Sequence, residues 1–415
     1  MRSPLPNPFV WPFVAAAEAS ATSARFLSAM AGAWTRHGRI RPESPPPTWT
    51  TPNKVALDLP SMQLRDFSTQ TRGPATLICA PYALHGASVV DFAPGHSVVE
   101  ALLIGGINRA FVTDWRSATP EMRYFSIDTY LAELNVAVDE IGPPVDIVGL
   151  CQGGWMALIY AARFPGKVRR LVLVGAPIDI RSGQSPLSRL TADLPFASFE
   201  SLVNLGGGRA FGESLLELSA LVFEDEATRV LQLEPGADTD NLPALEQRFR
   251  DWYAWTLDLP GTYYLEVVRH LFKENQIAEG RFTALGQTID LSKVNAPMFL
   301  LAARDDEIVS PGQLFATAQL IGSPDNIEMA TEPCGHLSLF LGARTLGRTW
   351  HQITRWLRDD QILRRHLKRV DASDVLRDAG PPAIIEQCQN PVEKRTSKRE
   401  KSSVIGDVRR KRPVI

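Results

Sequence analysis

The sequence predicts an α/β fold: a mostly parallel, doubly wound sheet with a helical lid inserted into it. Two observations carry this reading. From about residue 74, short apolar runs alternate with helix-length segments, the pattern of a parallel sheet covered on both faces. Between about 182 and 292 the alternation stops for a stretch rich in Leu, Glu and aromatics, and then it resumes.

Taken in order, Val14 to Trp34 reads as a helix with Phe26, Leu27, Met30 and Trp34 on an apolar stripe. Docking on the body is preferred to lying on a lipid or polymer surface, because the segment has little of the Lys/Arg such a helix carries. Pro42 to Pro52 is Pro/Thr-rich and reads as an extended connector. Strands are expected at Thr76–Cys79, Arg109–Val112, Val145–Val148, Arg170–Val174, Pro297–Ala302 and Asn326–Ala330. Helices are expected at His96–Ile104, Ser126–Ile141 and Trp155–Phe164. Ser126 is a suitable N-cap, and Gly142-Pro143-Pro144 stops its helix. Pro195, Pro235, Pro260 and Gly206-Gly207-Gly208 divide the helical insertion, a candidate lid. Beyond about 360 the apolar periodicity fades, and a polar, basic end reads as disordered. The resulting layout is an N-terminal helix (1–40), a Pro-rich connector (41–73), an α/β core (74–181 and 293–358), a helical lid (182–292) and a disordered basic tail (359–415).

Composition bounds the function. The chain has 415 residues, 44% hydrophobic and 22% charged, which excludes wholesale disorder, collagen-like sequence and a simple coiled coil. The formal net charge of −2 joins an acidic body of −8 to a tail, 391–415, with nine Lys/Arg and three Asp/Glu. Such a body is not built to hold nucleic acid. The tail reads as a solubilising end in preference to a dock for an acidic partner. Cys79, Cys151, Cys334 and Cys388 are scattered with no Cys-x-x-Cys pair, which fits a reducing compartment. No run of 18 apolar residues suggests a membrane span. Pro12 interrupts the apolar run from Phe9 to Ala17, so no secretory signal is read there. The expected location is cytoplasmic. No metal or phosphate-cradle motif stands out, and no cofactor is expected.

The sharpest local feature runs from Val145 to Trp155: a buried strand, then Gly149-Leu150-Cys151-Gln152-Gly153-Gly154, then a helix. This is the nucleophile-elbow arrangement of α/β-hydrolases with Cys in place of Ser. The sharp turn lifts the nucleophile off the sheet. Gly149 and Gly153 remove side chains that would collide across the turn, and Gly154 lets the helix start close to its neighbours. The helix N-terminus favours a thiolate and, later, an oxyanion. In this fold the acid and then the base follow the nucleophile. The strand ending at Ala302 leads into Arg304-Asp305-Asp306-Glu307, where Asp306 is preferred to Asp305 as the acid and the other Asp faces solvent. The strand ending at Ala330 leads into Pro333-Cys334-Gly335-His336, and His336 is the base. The oxyanion donors are expected at the backbone N–H of Gln152 and at one near Tyr82, in the loop after the first core strand. His85 in that loop reads equally as a substrate contact or as a satisfied loop residue. Trp115 and Cys334 read as packing residues.

These residues resemble a known family. Gly149 to Gly154 is similar to the box of polyhydroxyalkanoate synthases. Thr113-Asp114-Trp115, Gly175 to Arg181 and Leu257 to Leu265 look more like intracellular polyhydroxybutyrate depolymerases. The resemblance covers roughly 75–358. It implies a Cys, Asp and His set at Cys151, Asp306 and His336, a hydroxyacyl ester or polymer granule as partner, and a location at granule surfaces. Coenzyme A would enter only as part of a thioester substrate. Two departures stand out. Depolymerases usually carry Cys-Gln-Pro at the elbow, where this chain has Gly153, and synthases usually carry Asp-His where it has Asp306-Glu307. Dienelactone hydrolase shares the elbow but lacks such an insertion. The longer matched stretch makes hydrolysis of hydroxyacyl esters through an acyl-cysteine the leading expectation. Synthase-like acyl transfer comes second, and a non-catalytic granule-binding protein third.

Overall fold

In the computed structural model, eight strands form one sheet. They are β1 (Lys54–Asp58), β2 (Met62–Asp66), β3 (Thr76–Cys79), β4 (Ala110–Trp115), β5 (Val145–Leu150), β6 (Val168–Val174), β7 (Met298–Ala303) and β8 (Ile327–Glu332). The structure describes residues 24–32, 35, 46–219, 227–233, 242–322 and 326–361. All of them belong to one compact unit, 1–367. The strand order is β1-β2-β4-β3-β5-β6-β7-β8. β2 is antiparallel to both β1 and β4, and every other pairing is parallel. The expected α/β, mostly parallel sheet is therefore present.

β3, β5 and β7 are buried at every residue, as strands covered on both faces must be. The covering helices follow from sequence spacing. α1 (Val98–Ile104) is capped by Ser97, whose side chain accepts from the Glu100 N–H at 2.9 Å. The expected start at His96 moves two residues on, since His96 and Ser97 pair as a short strand with the Asp91–Ala93 segment. α2 (Ile127–Ile141) buries Ile127, Tyr130, Leu131, Leu134, Ala137, Val138 and Ile141, three or four residues apart. Its Ser126 N–H donates to Thr129 Oγ1, and Gly142 ends it at φ 92°. α3 (Gln152–Arg163) is buried from Gln152 to Ala162.

Two expectations need correction. The 41–73 connector contains β1 and β2, which extend the sheet by two antiparallel strands beyond β4. The helical reading of 182–292 holds for α4 (Pro186–Asp193), α5 (Phe196–Leu205), α6 (Gly212–Ser219), α7 (Leu242–Ala254) and α8 (Gly261–Glu266), the last running into a π-helical turn, Val267–Lys273. The same stretch also holds two small antiparallel pairs, Arg209–Ala210 with Leu259–Pro260 and Thr283–Ala284 with Gln287–Thr288. Their two-residue strands are too short to show a period of two.

Of the expected N-terminal helix, residues 24–32 are helical. Ala29 is buried and Phe26 packs on the core, so this part docks on the body. The rest of that helix, and the tail from 362, lie outside the described residues. Among the described residues, no helix is long and apolar enough to cross a membrane. After β8 come α9 (Ser338–Leu341) and α10 (His351–Arg358). The buried Arg170 on β6 donates to the carbonyls of Leu357 and Asp359 at the C-terminal end of α10. There it meets the negative pole of the helix and fixes it to the sheet.

Candidate active site

The strand order reverses at β3, with β4 on one side and β5 on the other. Ligands of open α/β sheets bind at such a point, outside the carboxyl ends of the strands. Cys151 follows β5 directly. Its backbone stands at φ 48° and ψ −117°, the strained turn of an elbow. Its N–H donates to the Val174 carbonyl at 2.9 Å, and its carbonyl accepts from the Gly154 N–H at 2.9 Å.

The glycines around it have steric causes. A Cβ on Gly153 would lie 2.1 Å from the Cys79 carbonyl oxygen, and one on Gly154 would lie 2.3 Å from the Ala176 Cβ. A Cβ on Gly149 would lie 2.6 Å from the Gly154 Cα. The elbow thus rests directly on the end of β3 and on the loop after β6. The Pro found at the Gly153 position of depolymerase elbows would require that backbone to move.

His336 and Asp306 arrive from the ends of β8 and β7. Asp306 Oδ2 lies 2.8 Å from His336 Nδ1, and Asp306 Oδ1 accepts from the N–H groups of Ile308 (2.8 Å) and Val309 (2.7 Å). The Asp306 carboxyl is fully buried, while Asp305 is exposed and pairs with Arg304. The structure thus brings Asp306, not Asp305, to His336. With Nδ1 occupied, Nε2 is the ring nitrogen left for the Cys151 thiol, which lines the same cavity. Burial alone would lower the basicity of His336. The negative charge of Asp306 and that of a Cys151 thiolate outweigh it and hold the imidazolium pKa well above its ordinary value.

Cys151, Gln152, Tyr82, His85 and His336 all line one cavity of about 190 Å³. Tyr82 contributes no side-chain donor to it: its hydroxyl donates to the Arg116 carbonyl at 3.0 Å and accepts from Tyr130 at 2.9 Å. Only its backbone is left for an oxyanion. The Gln152 side chain accepts with Oε1 from Trp155 Nε1 at 2.6 Å, and its backbone N–H stands at the start of α3, where the first N–H groups of a helix have no partner within it. The loop before Tyr82 is held on both sides. Trp115 Nε1 donates to the Ala80 carbonyl at 2.8 Å, and the Ala80 N–H donates to Thr113 Oγ1 at 3.0 Å. His85 faces the cavity with Nδ1 3.2 Å from the Trp255 carbonyl, and burial lowers its pKa to about 4. Cys334 is a buried neighbour whose thiol burial pushes up to about 12.

Two contributors were not read from the sequence. Glu307 Oε2 accepts the backbone N–H of His336 at 3.2 Å, and Phe340 packs its ring edge-on against the imidazole, 5.3 Å between centroids. Nothing in local spacing announces either, since both depend on where two separate loops meet.

A thiol on a strained strand-to-helix turn, above the reversal point of a parallel sheet and beside a buried His–Asp pair, defines an enzyme of the α/β-hydrolase fold. Residues 224–360 match the family model described as the C-terminus of PHB de-polymerase. The poly(3-hydroxyalkanoate) polymerase subunit PhaC of Haloferax mediterranei is 24% identical over 74% of this chain and 63% of its own. The chain therefore spans less than two thirds of that relative. The PhaC subunit of Synechocystis sp. is 24% identical over 75% of this chain and 85% of its own, and that of Allochromatium vinosum is 23% identical over 69% and 81%. Among solved structures, the monoacylglycerol lipase of Paleococcus ferrophilus aligns with TM-score 0.47 and 16% identity, covering 71% of this chain and 98% of the lipase. These matches support a place in the α/β-hydrolase superfamily of polyhydroxyalkanoate synthases and depolymerases.

Proposed function

We propose that this enzyme is an acyltransferase of the polyhydroxyalkanoate polymerase type, taking 3-hydroxyacyl groups from coenzyme A thioesters. The reading reverses the order of the sequence-based expectations, which put hydrolysis first. The observation that carries it is Cys151 on a Gly-x-Cys-x-Gly-Gly elbow in a chain whose relatives include polymerase subunits that align with about three quarters of its length. The space at Gly153, too small for a Cβ, agrees with the synthase form of the elbow.

The chemistry runs through three side chains. His336 Nε2 takes the Cys151 proton, and Asp306 holds the imidazolium by its Nδ1–H. The thiolate attacks the thioester carbonyl. The backbone N–H of Gln152, with one from the Tyr82 loop, holds the oxyanion. Coenzyme A leaves as a thiol, protonated by His336, and the acyl group remains on Cys151. His336 then takes the proton from the hydroxyl of an acceptor chain, that oxygen attacks the acyl-cysteine, the C–S bond breaks to release the Cys151 thiolate, which His336 reprotonates, and the chain grows by one ester.

Hydrolysis is the second reading, supported by the depolymerase model over 224–360. In that case water replaces the acceptor hydroxyl. Incubation with 3-hydroxyacyl-CoA separates the readings. We expect an acyl adduct on Cys151 by mass spectrometry and growth of an insoluble polyester. Adduct formation followed only by free hydroxy acid would favour hydrolysis. Full turnover by Cys151→Ala would remove both readings, and granule binding with no turnover would leave the non-catalytic one.

A further inference from the structure

The cavity beside Cys151 has two kinds of wall. The core supplies Cys151, Gln152, His336 and His85, and α8 adds Tyr263 and Tyr264 beside them. The lid helices α4, α5 and α6 supply Leu187, Leu190, Thr191, Phe199, Leu215 and Leu218. The one hydroxyl in that second set, Thr191 Oγ1, bonds back to its own helix at the Leu187 and Ser188 carbonyls, 3.0 Å each. These three helices therefore present hydrocarbon and no free hydrogen-bonding side chain, so this wall can recognise only hydrocarbon. An apolar cavity of about 150 Å³ stays dry and takes up apolar ligands, and this one holds about 190 Å³. A 3-hydroxybutyryl group carries a single methyl beyond its hydroxyl-bearing carbon. Seated on Cys151, it would leave most of that volume without contact, forfeiting the dispersion attraction of the wall.

Building on the acyl-transfer reading, we propose that the α4–α6 wall is an alkyl subsite selecting medium-chain 3-hydroxyacyl groups, of about eight to twelve carbons, over 3-hydroxybutyryl. Leu215 and Leu218, both nearly fully buried, set its extent.

The test separates the subsite from the reaction. Cys151→Ala protein, which cannot be acylated at that position, is titrated calorimetrically with 3-hydroxybutyrate, 3-hydroxyhexanoate and 3-hydroxydecanoate. Affinity should rise about fourfold per added methylene until the wall is covered. Adding Leu215→Trp should weaken 3-hydroxydecanoate binding at least about tenfold and leave 3-hydroxybutyrate unchanged. Leu187→Phe serves the same purpose if the Trp variant loses its cooperative melting transition. Equal affinity across the series, no binding by any member, or an equal loss for all chain lengths in the variants would overturn the subsite. Graded binding with no turnover of the thioesters by the wild-type enzyme would leave the subsite standing and sink acyl transfer.

Discussion

Cys151 holds a backbone conformation that costs an L residue roughly 1–3 kcal/mol, kept in place by the strand ends around it. The return on that strain is a thiol placed clear of the sheet, where His336 reaches it. Asp306 and Asp305 show how narrowly the arrangement is specified. They are adjacent, yet one is fully buried against His336 and the other is 59% exposed. Asp306→Asn would present an amide N–H to Nδ1 and impose the wrong tautomer. We expect kcat to fall by about 10⁴-fold, the loss seen when the buried Asp of a Ser-His-Asp triad becomes Asn. Asp305→Asn should stay within about twofold, as exposed ion pairs contribute little. Comparable losses in the two variants would show that the acid has been misassigned. Cys151, Asp306 and His336, the proposed reacting set, were legible because each sits at a strand end, in the chain order that this fold imposes. The Glu307 bond to the His336 N–H was not legible, because it joins loops 29 residues apart in sequence.

Between elements, the helical insertion is tied to the His336 loop by a short segment, 227–233. The Leu231 carbonyl accepts from the Ala343 N–H at 3.0 Å. Gln232, at φ 53°, accepts with Oε1 from the Thr345 N–H (2.9 Å) and the Thr345 hydroxyl (3.1 Å). Its side chain fills the space where a Cβ on Gly342 would stand, 2.5 Å from Oε1. Gly342 directly follows α9, which begins two residues after His336, so the latch braces the loop that carries His336. Gln232→Ala leaves the Thr345 N–H without its partner, at a cost of about 1–3 kcal/mol. Hydrogen exchange should quicken over 338–346, and kcat should fall. Unchanged protection there would show that the latch does not hold the loop. This contact lies beyond any periodicity argument, and β1 was missed for a related reason. Four of its five residues are exposed, so it carries no buried face to read and joins the sheet through backbone pairing. β2 does alternate, with Met62 and Leu64 buried, but five residues beside a Pro-rich stretch gave that pattern little length.

Over the whole molecule, the same burial that makes the cavity apolar makes the protein sensitive to acid through histidines outside the proposed reacting set. His85 has its pKa lowered from 6.5 to about 4 by burial, and His96 is lowered for the same reason. A group whose folded pKa lies below its unfolded one binds protons more readily in the unfolded chain. Its contribution is therefore present above pH 6.5 and is lost as pH falls from 6.5 towards about 4. His336 has the opposite sign, with a folded pKa raised well above 6.5. Its contribution is complete below pH 6.5 and is lost only as pH rises through the raised value, so it adds no slope in the acid window. The carboxyls of buried Asp146 and of half-buried Asp114 and Glu266 are raised by desolvation and work against the His85 slope. The net curve therefore mixes signs, and a difference measurement isolates one group. His85→Asn keeps a donor for the Trp255 carbonyl and removes the titration. The melting temperature of the variant, relative to wild type, should rise steadily as pH falls from 6.5 to 4 and stay constant from 7 to 8. A difference independent of pH would mean that His85 is solvated in the folded protein. The cavity beside Cys151, which His85 lines, would then admit water and could not offer a dry alkyl subsite.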